Sequence, residues 1–289
     1  MNPVVSAEEL ASHLDDPDWI VFDCRHDLAA PEAGVAAYRH GHIPGARFAH
    51  LDGDLSGAKT GRNGRHPLPT RESFAAFLVA AGANQRSTLV AYDASNALYA
   101  SRFWWLARWI GHAAVAVLDG GLPAWQARGL HIDDDTPRPV AGDLRIGEAL
   151  VSHVETEDVE ANLSTQAKLV VDARAPERFR GEAEPLDPVA GHIPHAVNRP
   201  MAKNLAADGR FRSAPELRGA FEALLAGRDP ERLIASCGSG VTACHHLLAM
   251  EVAGFRGASL YPGSWSAWCS DPQRPVARGE ADGEPGGDR

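Results

Sequence analysis

The stretch Ser236-Cys237-Gly238-Ser239-Gly240-Val241-Thr242-Ala243-Cys244 sets a cysteine in a run of small residues. Before it stands an apolar run, Leu233-Ile234-Ala235, expected as a buried strand; the stretch from about Val241 to Val252 is expected as a helix. Open α/β sheets bind ligands in such strand-to-helix loops. Two glycines let the chain curl, so that the N–H groups of Gly238, Ser239, Gly240, Val241 and Thr242 form a nest for an anion. These amides and the positive helix end favour thiolate over thiol, and thiolate is the nucleophilic form. Cys237 is therefore the candidate nucleophile. The other cysteines, Cys24, Cys244 and Cys269, lack such a loop and read as buried, inert thiols. A phosphatase would need an arginine after five intervening residues to clamp phosphoryl oxygens, and that position is Ala243.

An anionic substrate in an acidic chain needs local cations. Arg174, Arg178 and Arg180 lie close together, and Arg178 in Glu177-Arg178-Phe179-Arg180-Gly181 is the candidate to grip a carboxylate or sulfonate in bidentate fashion. Glu184-Pro185-Leu186-Asp187, just beyond, supplies acids and no second arginine. No set of four ligands for a closed metal site is apparent: His40 and His42, His192 and His195, and His245-His246 lack companions, and no metal or cofactor is expected. Trp104, Trp105 and Trp109 read as packing residues. Cys244, seven residues after Cys237, is expected two turns down the helix and pointing elsewhere, which argues against a resolving cysteine in a redox sensor.

The elements that hold this loop occur twice. Asp23-Cys24-Arg25 matches Asp172-Ala173-Arg174, Gly41-His42-Ile43-Pro44 matches Gly191-His192-Ile193-Pro194, Asp93 matches Cys237, and Gly120 matches Gly263, with offsets of 149, 150, 144 and 143 residues. A near-constant offset of about half the chain means two copies of one domain. In each copy, apolar runs (Ile20-Val21-Phe22, Leu89-Val90-Ala91, Leu169-Val170-Val171, Leu233-Ile234-Ala235) alternate with helical patterns. Thr70 and the pair Ser213 and Glu216 mark helix starts. The expected fold class is α/β: two tandem domains, each a mostly parallel sheet flanked by helices. The expected boundaries are 1–130, an acidic, proline-containing linker at 131–155, 156–277, and a disordered tail at 278–289. Arg25 and Arg174, and His42 and His192, recur in both copies and read as structural. A length of 289 residues suits two domains of ~100–200 residues each. The net charge of −10 disfavours a large nucleic-acid surface. No apolar run reaches the ~20 residues of a membrane span, and no secretory leader is visible. Four cysteines without a CxxC pair fit thiols in a reducing cytoplasm.

The loop Cys-Gly-Ser-Gly-Val-Thr, the paired Gly-His-Ile-Pro motifs, and Gly-Ser-Trp-x-x-Trp at Gly263 to Trp268 resemble the two-domain sulfurtransferases, rhodanese and 3-mercaptopyruvate sulfurtransferase, over roughly Val4 to Ala277. The resemblance implies a catalytic carboxy-terminal copy and an amino-terminal copy that has lost its nucleophile, with Asp93 in its place. It implies double displacement: Cys237 takes a sulfur as a persulfide, which a thiol of thioredoxin type or cyanide removes. Arg178 falls at the family's donor-binding arginine. The first copy is six residues longer between its Gly-His-Ile-Pro motif and its loop (44 to 93, against 194 to 237), an excess lying near Asp52 and His66. By resemblance, His66 and Asp52 match a proton relay to Ser239, which would place the site at the domain interface. The small, uncharged Gly238 and Ser239 favour 3-mercaptopyruvate over thiosulfate as donor. A rhodanese using thiosulfate, a non-catalytic binding module and a carrier in a sulfur relay are the alternatives.

Overall fold

The computed structural model describes residues 1–280; the rest of the expected tail, 281–289, lies outside the described residues. The chain forms two compact units. Unit 1 comprises 1–57, 68–151 and 206–211; unit 2 comprises 58–67, 152–205 and the residues from 212 on. The first unit's sheet contains β1 (Val4–Val5), β2 (Trp19–Asp23), β3 (Arg47–Phe48), β4 (Thr88–Tyr92) and β5 (Val115–Leu118), in the order β1-β5-β4-β2-β3. The second contains β6 (Ser152–His153), β7 (Leu169–Asp172), β8 (Val197–Asn198), β9 (Leu233–Ser236) and β10 (Ser259–Leu260), in the order β6-β10-β9-β7-β8. Every strand pair in both sheets is parallel, as the alternation of strands with helices implies.

The central strands are apolar on both faces because helices cover both. All four residues of β9 are buried, and the helix Thr242–Val252 packs against β9, β10 and the helix Ala214–Leu225. Full burial of a side chain such as Leu233 or Ile234 is worth about 1.5–3 kcal/mol, so the strand entering the cysteine loop is firmly seated. The Ala214–Leu225 helix starts at the expected capping box, where Glu216 accepts the Ser213 amide at 3.0 Å.

The repeat extends to side chains. Arg25 forks onto Asp23 and donates to the Gly41 carbonyl at 2.7 Å; Arg174 does the same with Asp172 and the Gly191 carbonyl, also at 2.7 Å. His42 stacks on Tyr38 and bonds its carbonyl through Nδ1 at 2.8 Å, and His192 treats Phe179 alike. These duplicated residues brace turns, as their recurrence suggests.

The segment expected as a linker is a strap on unit 1 up to residue 151. Asp133 and His42 exchange backbone hydrogen bonds, and the amides of Gly142, Leu144 and Gly147 donate to Val79, Ala83 and Ile110. Leu144 is buried, so one apolar side chain and a series of amides hold a stretch whose composition is that of a loose connection. Unit 2 then opens at β6. At the other end, Arg278 donates to the Ala190 carbonyl and the Gly279 amide to that of Arg180, so residues 278 and 279, expected as the start of a disordered tail, are held on unit 2.

Candidate active site

Cys237 follows β9 directly and is buried. Its amide donates to Ser264 Oγ at 3.0 Å, while the amides of Trp265 and Ser266 donate to the carbonyls of Cys237 and Gly238 at 3.0 and 2.9 Å. The 264–266 turn thus takes up the loop's carbonyls. No acceptor among the described residues takes the amides of Gly238, Ser239 or Val241, and the first turn of the following helix adds further N–H groups without intrahelical partners. Ser264 Oγ lies 4.0 Å from Cys237 Sγ, and its own proton goes to the Tyr261 carbonyl at 2.8 Å. Gly240 has φ +75°, and a Cβ there would stand 2.4 Å from the Pro262 carbonyl oxygen, so both conformation and space demand glycine.

The segment 58–67 carries His66 into unit 2. His66 Nδ1 lies 2.8 Å from Ser239 Oγ, and both side chains are buried. Arg65, beside it, is a residue that the sequence alone does not single out. Its amide donates to Ser266 Oγ at 3.0 Å, and Gly64, at φ +86°, brings the chain against the Gly263 carbonyl. Arg65 Nη1 pairs with Asp187 Oδ1. Arg178 Nη2 donates to Glu184 Oε1 at 2.6 Å and to Asp187 Oδ2 at 3.3 Å. The acidic Glu184–Asp187 stretch, read from the sequence as supplying acids and no second arginine, anchors three arginines, Arg65, Arg178 and Arg174. Arg174 sits behind, paired with Asp172 and Glu184 and stacked 4.9 Å from the Trp265 ring. Burial pulls the pKa of Arg174 down, but the negative groups around it, Asp172 foremost and Glu184 with it, together more than reverse this and hold it above the ordinary value.

Asp52, the remaining candidate, belongs to unit 1, where its amide donates to His50 Nδ1 at 3.1 Å. Cys244 departs from expectation: it lies in the first turn of the helix, not two turns along, and its thiol donates to the Gly240 carbonyl at 3.2 Å. The same loop in unit 1 has a different occupant. Asp93 is fully buried; its Oδ1 accepts the amides of Ser95 and Ala97 at 2.7 and 3.0 Å, and its Oδ2 those of Tyr99 and Ala100 at 2.8 and 2.9 Å. A carboxylate satisfies the nest from within.

The helix behind the cysteine loop is locked by a polar cluster. Asn204 Nδ2 donates to Nδ1 of both His245 and His246, at 3.0 and 2.9 Å, and Arg199 donates to Asn204 Oδ1. His246 Nε2 contacts the Arg199 carbonyl at 2.6 Å, so the neutral tautomer with its proton on Nε2 completes the network. Burial, reinforced by the Arg199 charge, holds the His246 pKa well below its ordinary value. A histidine depressed in the folded state stabilises above its unfolded pKa of about 6.5, and that contribution fades as pH falls below it. Melting temperature is therefore expected to drop from pH 7 to pH 5 in the wild type and to drop less in His246→Gln; parallel curves would remove His246 from the acid response.

The rhodanese-like domain family matches the chain twice, over residues 6–128 and 155–271. A probable 3-mercaptopyruvate sulfurtransferase of Pseudomonas aeruginosa is 45 % identical, over 96 % of this chain and 98 % of that protein. A putative thiosulfate sulfurtransferase of Mycobacterium tuberculosis is 40 % identical over the same shares. Among solved structures, the Escherichia coli 3-mercaptopyruvate sulfotransferase SseA superposes with a TM-score of 0.79 at 33 % identity, covering 92 % of this chain and 99 % of that one.

Proposed function

The chain belongs to the rhodanese-like family and is a sulfurtransferase, and we propose that Cys237 carries the sulfur, with 3-mercaptopyruvate as the preferred donor. The observation that carries this reading is the 2.8 Å approach of His66 Nδ1 to Ser239 Oγ, two residues from the nucleophile. The Cys237 thiolate attacks the donor's sulfur; the S–S bond forms as the C–S bond breaks, and its electron pair leaves on carbon as the pyruvate enolate. The proton formerly on the donor's thiol passes to that carbon, which yields pyruvate and an anionic Cys237 persulfide. Ser239 and His66 form the route for this proton. The unpaired amides of Gly238, Ser239 and Val241, with those of Gly240 and Thr242, stabilise the persulfide anion. A thiol of thioredoxin type, or cyanide, then attacks the outer sulfur and returns Cys237 as thiolate.

Thiosulfate cleavage needs no proton at carbon and benefits from net positive charge near the reacting sulfur. Gly238 and Ser239 offer none, and a unit charge at ~4 Å and ε ≈ 20 is worth about 4 kcal/mol before desolvation. We therefore expect kcat/KM to favour 3-mercaptopyruvate at least tenfold, about 1.4 kcal/mol. Steady-state rates on the two donors with one acceptor test it, and faster turnover of thiosulfate reverses the donor assignment. A binding module without turnover is disfavoured by the intact loop, and a redox sensor by Cys244, whose thiol is engaged with the Gly240 carbonyl. Four free, buried cysteines fit a reducing, cytoplasmic setting. No helix among the described residues is long and apolar enough to cross a membrane.

A further inference from the structure

Two guanidinium groups border the cysteine loop, and only one of them stands at a position that the sequence marks. A Cβ built on Gly238 would lie 2.9 Å from Nη2 of Arg65 and 3.5 Å from Nη1 of Arg178. Behind them is one shared carboxylate. Asp187 takes Arg65 on Oδ1 and Arg178 on Oδ2, and it is 3 % exposed, whereas the Arg65 and Arg178 side chains are 25 % and 18 % exposed. The carboxylate therefore lies beneath, and the cations stand between it and solvent. We propose that Arg65 is a second donor-binding residue, and that the Asp187-bridged arginine pair grips the carboxylate and the adjacent keto oxygen of the donor. This rests on the assignment of an α-keto acid donor.

The hydrogen-bond inventory supports a grip on something external. Each arginine spends one terminal nitrogen on Asp187, which leaves Arg65 Nη2 and Arg178 Nη1, the two atoms beside Gly238, without an acceptor among the described residues. Arg178 Nε is likewise buried and unpaired. Planar donors fixed from behind by a carboxylate are preorganised for bidentate recognition of oxygen pairs. Charge points the same way. Arg65, Arg174 and Arg178 are matched by Asp172, Glu184 and Asp187, three against three. A cradle of zero net charge selects by hydrogen-bond direction, which suits a monoanion with two neighbouring oxygens better than a compact dianion. Consecutive residues also divide the work, since Arg65 meets the loop at Gly238 and His66 meets it at Ser239.

The test compares wild type, Arg65→Leu and Arg65→Lys on both donors, with pyruvate as an unreactive probe of the same oxygen pair. Folding is followed by melting temperature. In Arg65→Leu the KM for 3-mercaptopyruvate and the inhibition constant of pyruvate are expected to rise at least tenfold. Its kcat should stay within about threefold, and the KM for thiosulfate should change by less than threefold. Should Arg65→Leu fail to fold, Arg65→Lys serves: one ammonium nitrogen cannot reproduce a planar fork that sets one nitrogen on Asp187 and another toward the donor, so both constants are expected to rise at least threefold. Unmoved constants in whichever variant folds overturn the inference, as does an equal rise for both donors. Wild-type enzyme that turns over 3-mercaptopyruvate while Arg65→Leu keeps its KM overturns Arg65 alone. Wild-type enzyme inactive on 3-mercaptopyruvate overturns the donor assignment and this grip with it.

Discussion

Replacing Cys237 by serine is expected to abolish sulfur transfer, with kcat/KM for either donor down by about 10⁴-fold or more, because a hydroxyl at this site is neither ionised nor able to hold a sulfane sulfur. Intact mass reads the same event directly. After incubation with donor and removal of small molecules, the wild type should gain one sulfur, about 32 Da, and Cys237→Ser none. Cys244→Ser is the control that makes the assignment specific, since its thiol is committed to the Gly240 carbonyl in the first turn of the helix. It should load sulfur like the wild type. Loading that survives in Cys237→Ser and disappears in Cys244→Ser would move the nucleophile seven residues along the chain.

The second large effect is expected at His66, and it should depend on the donor. Departure of pyruvate requires a proton at carbon, whereas departure of sulfite does not. General acid–base catalysis contributes about 10²–10⁴-fold where it operates. His66→Ala should therefore lower kcat on 3-mercaptopyruvate by about that factor and kcat on thiosulfate by less than about tenfold. Ser239→Ala should show the same asymmetry, because the serine hydroxyl is the group that His66 Nδ1 meets. Equal losses on both donors would make the imidazole a support for the loop and not a proton carrier.

The fold was legible because its signals are local. Apolar runs become strands, Thr70 and Ser213 cap helices, and the repeated Asp-x-Arg and Gly-His-Ile-Pro anchors make the same hydrogen bonds in both units. Cys237 stands out as a candidate for a related reason: a strand, a cysteine, two glycines and a helix start lie within a dozen residues. Arg65 does not. Its meaning arises only when the chain sets residue 65 against residues 187 and 238, more than a hundred positions away. Taken alone, Gly64-Arg65-His66 reads as a surface loop. The part played by Glu184 and Asp187 was hidden for the same reason, since the stretch shows only that a second arginine is missing and not which arginines its acids hold. The linker at 131–155 was legible as a connection between the copies but its course was not, because composition reports charge and proline, while one buried leucine and a few amide bonds decide where its first part lies.

The carboxylate of Asp93 has a consequence for anyone who wishes to inhibit or re-engineer this protein. The duplicated domain is a receptor with its ligand built in: two oxygens on a short tether occupy four amide donors that would otherwise be offered to a soluble anion. An inhibitor shaped for the cysteine loop is therefore expected to meet one receptor per chain, with the twin silenced by a covalently attached competitor at high effective concentration. The same tether explains why a single exchange of Asp93 for cysteine is a poor route to a doubly active enzyme. One sulfur cannot replace two oxygens fanned across four donors, and the loop around it has settled on the shape of a carboxylate.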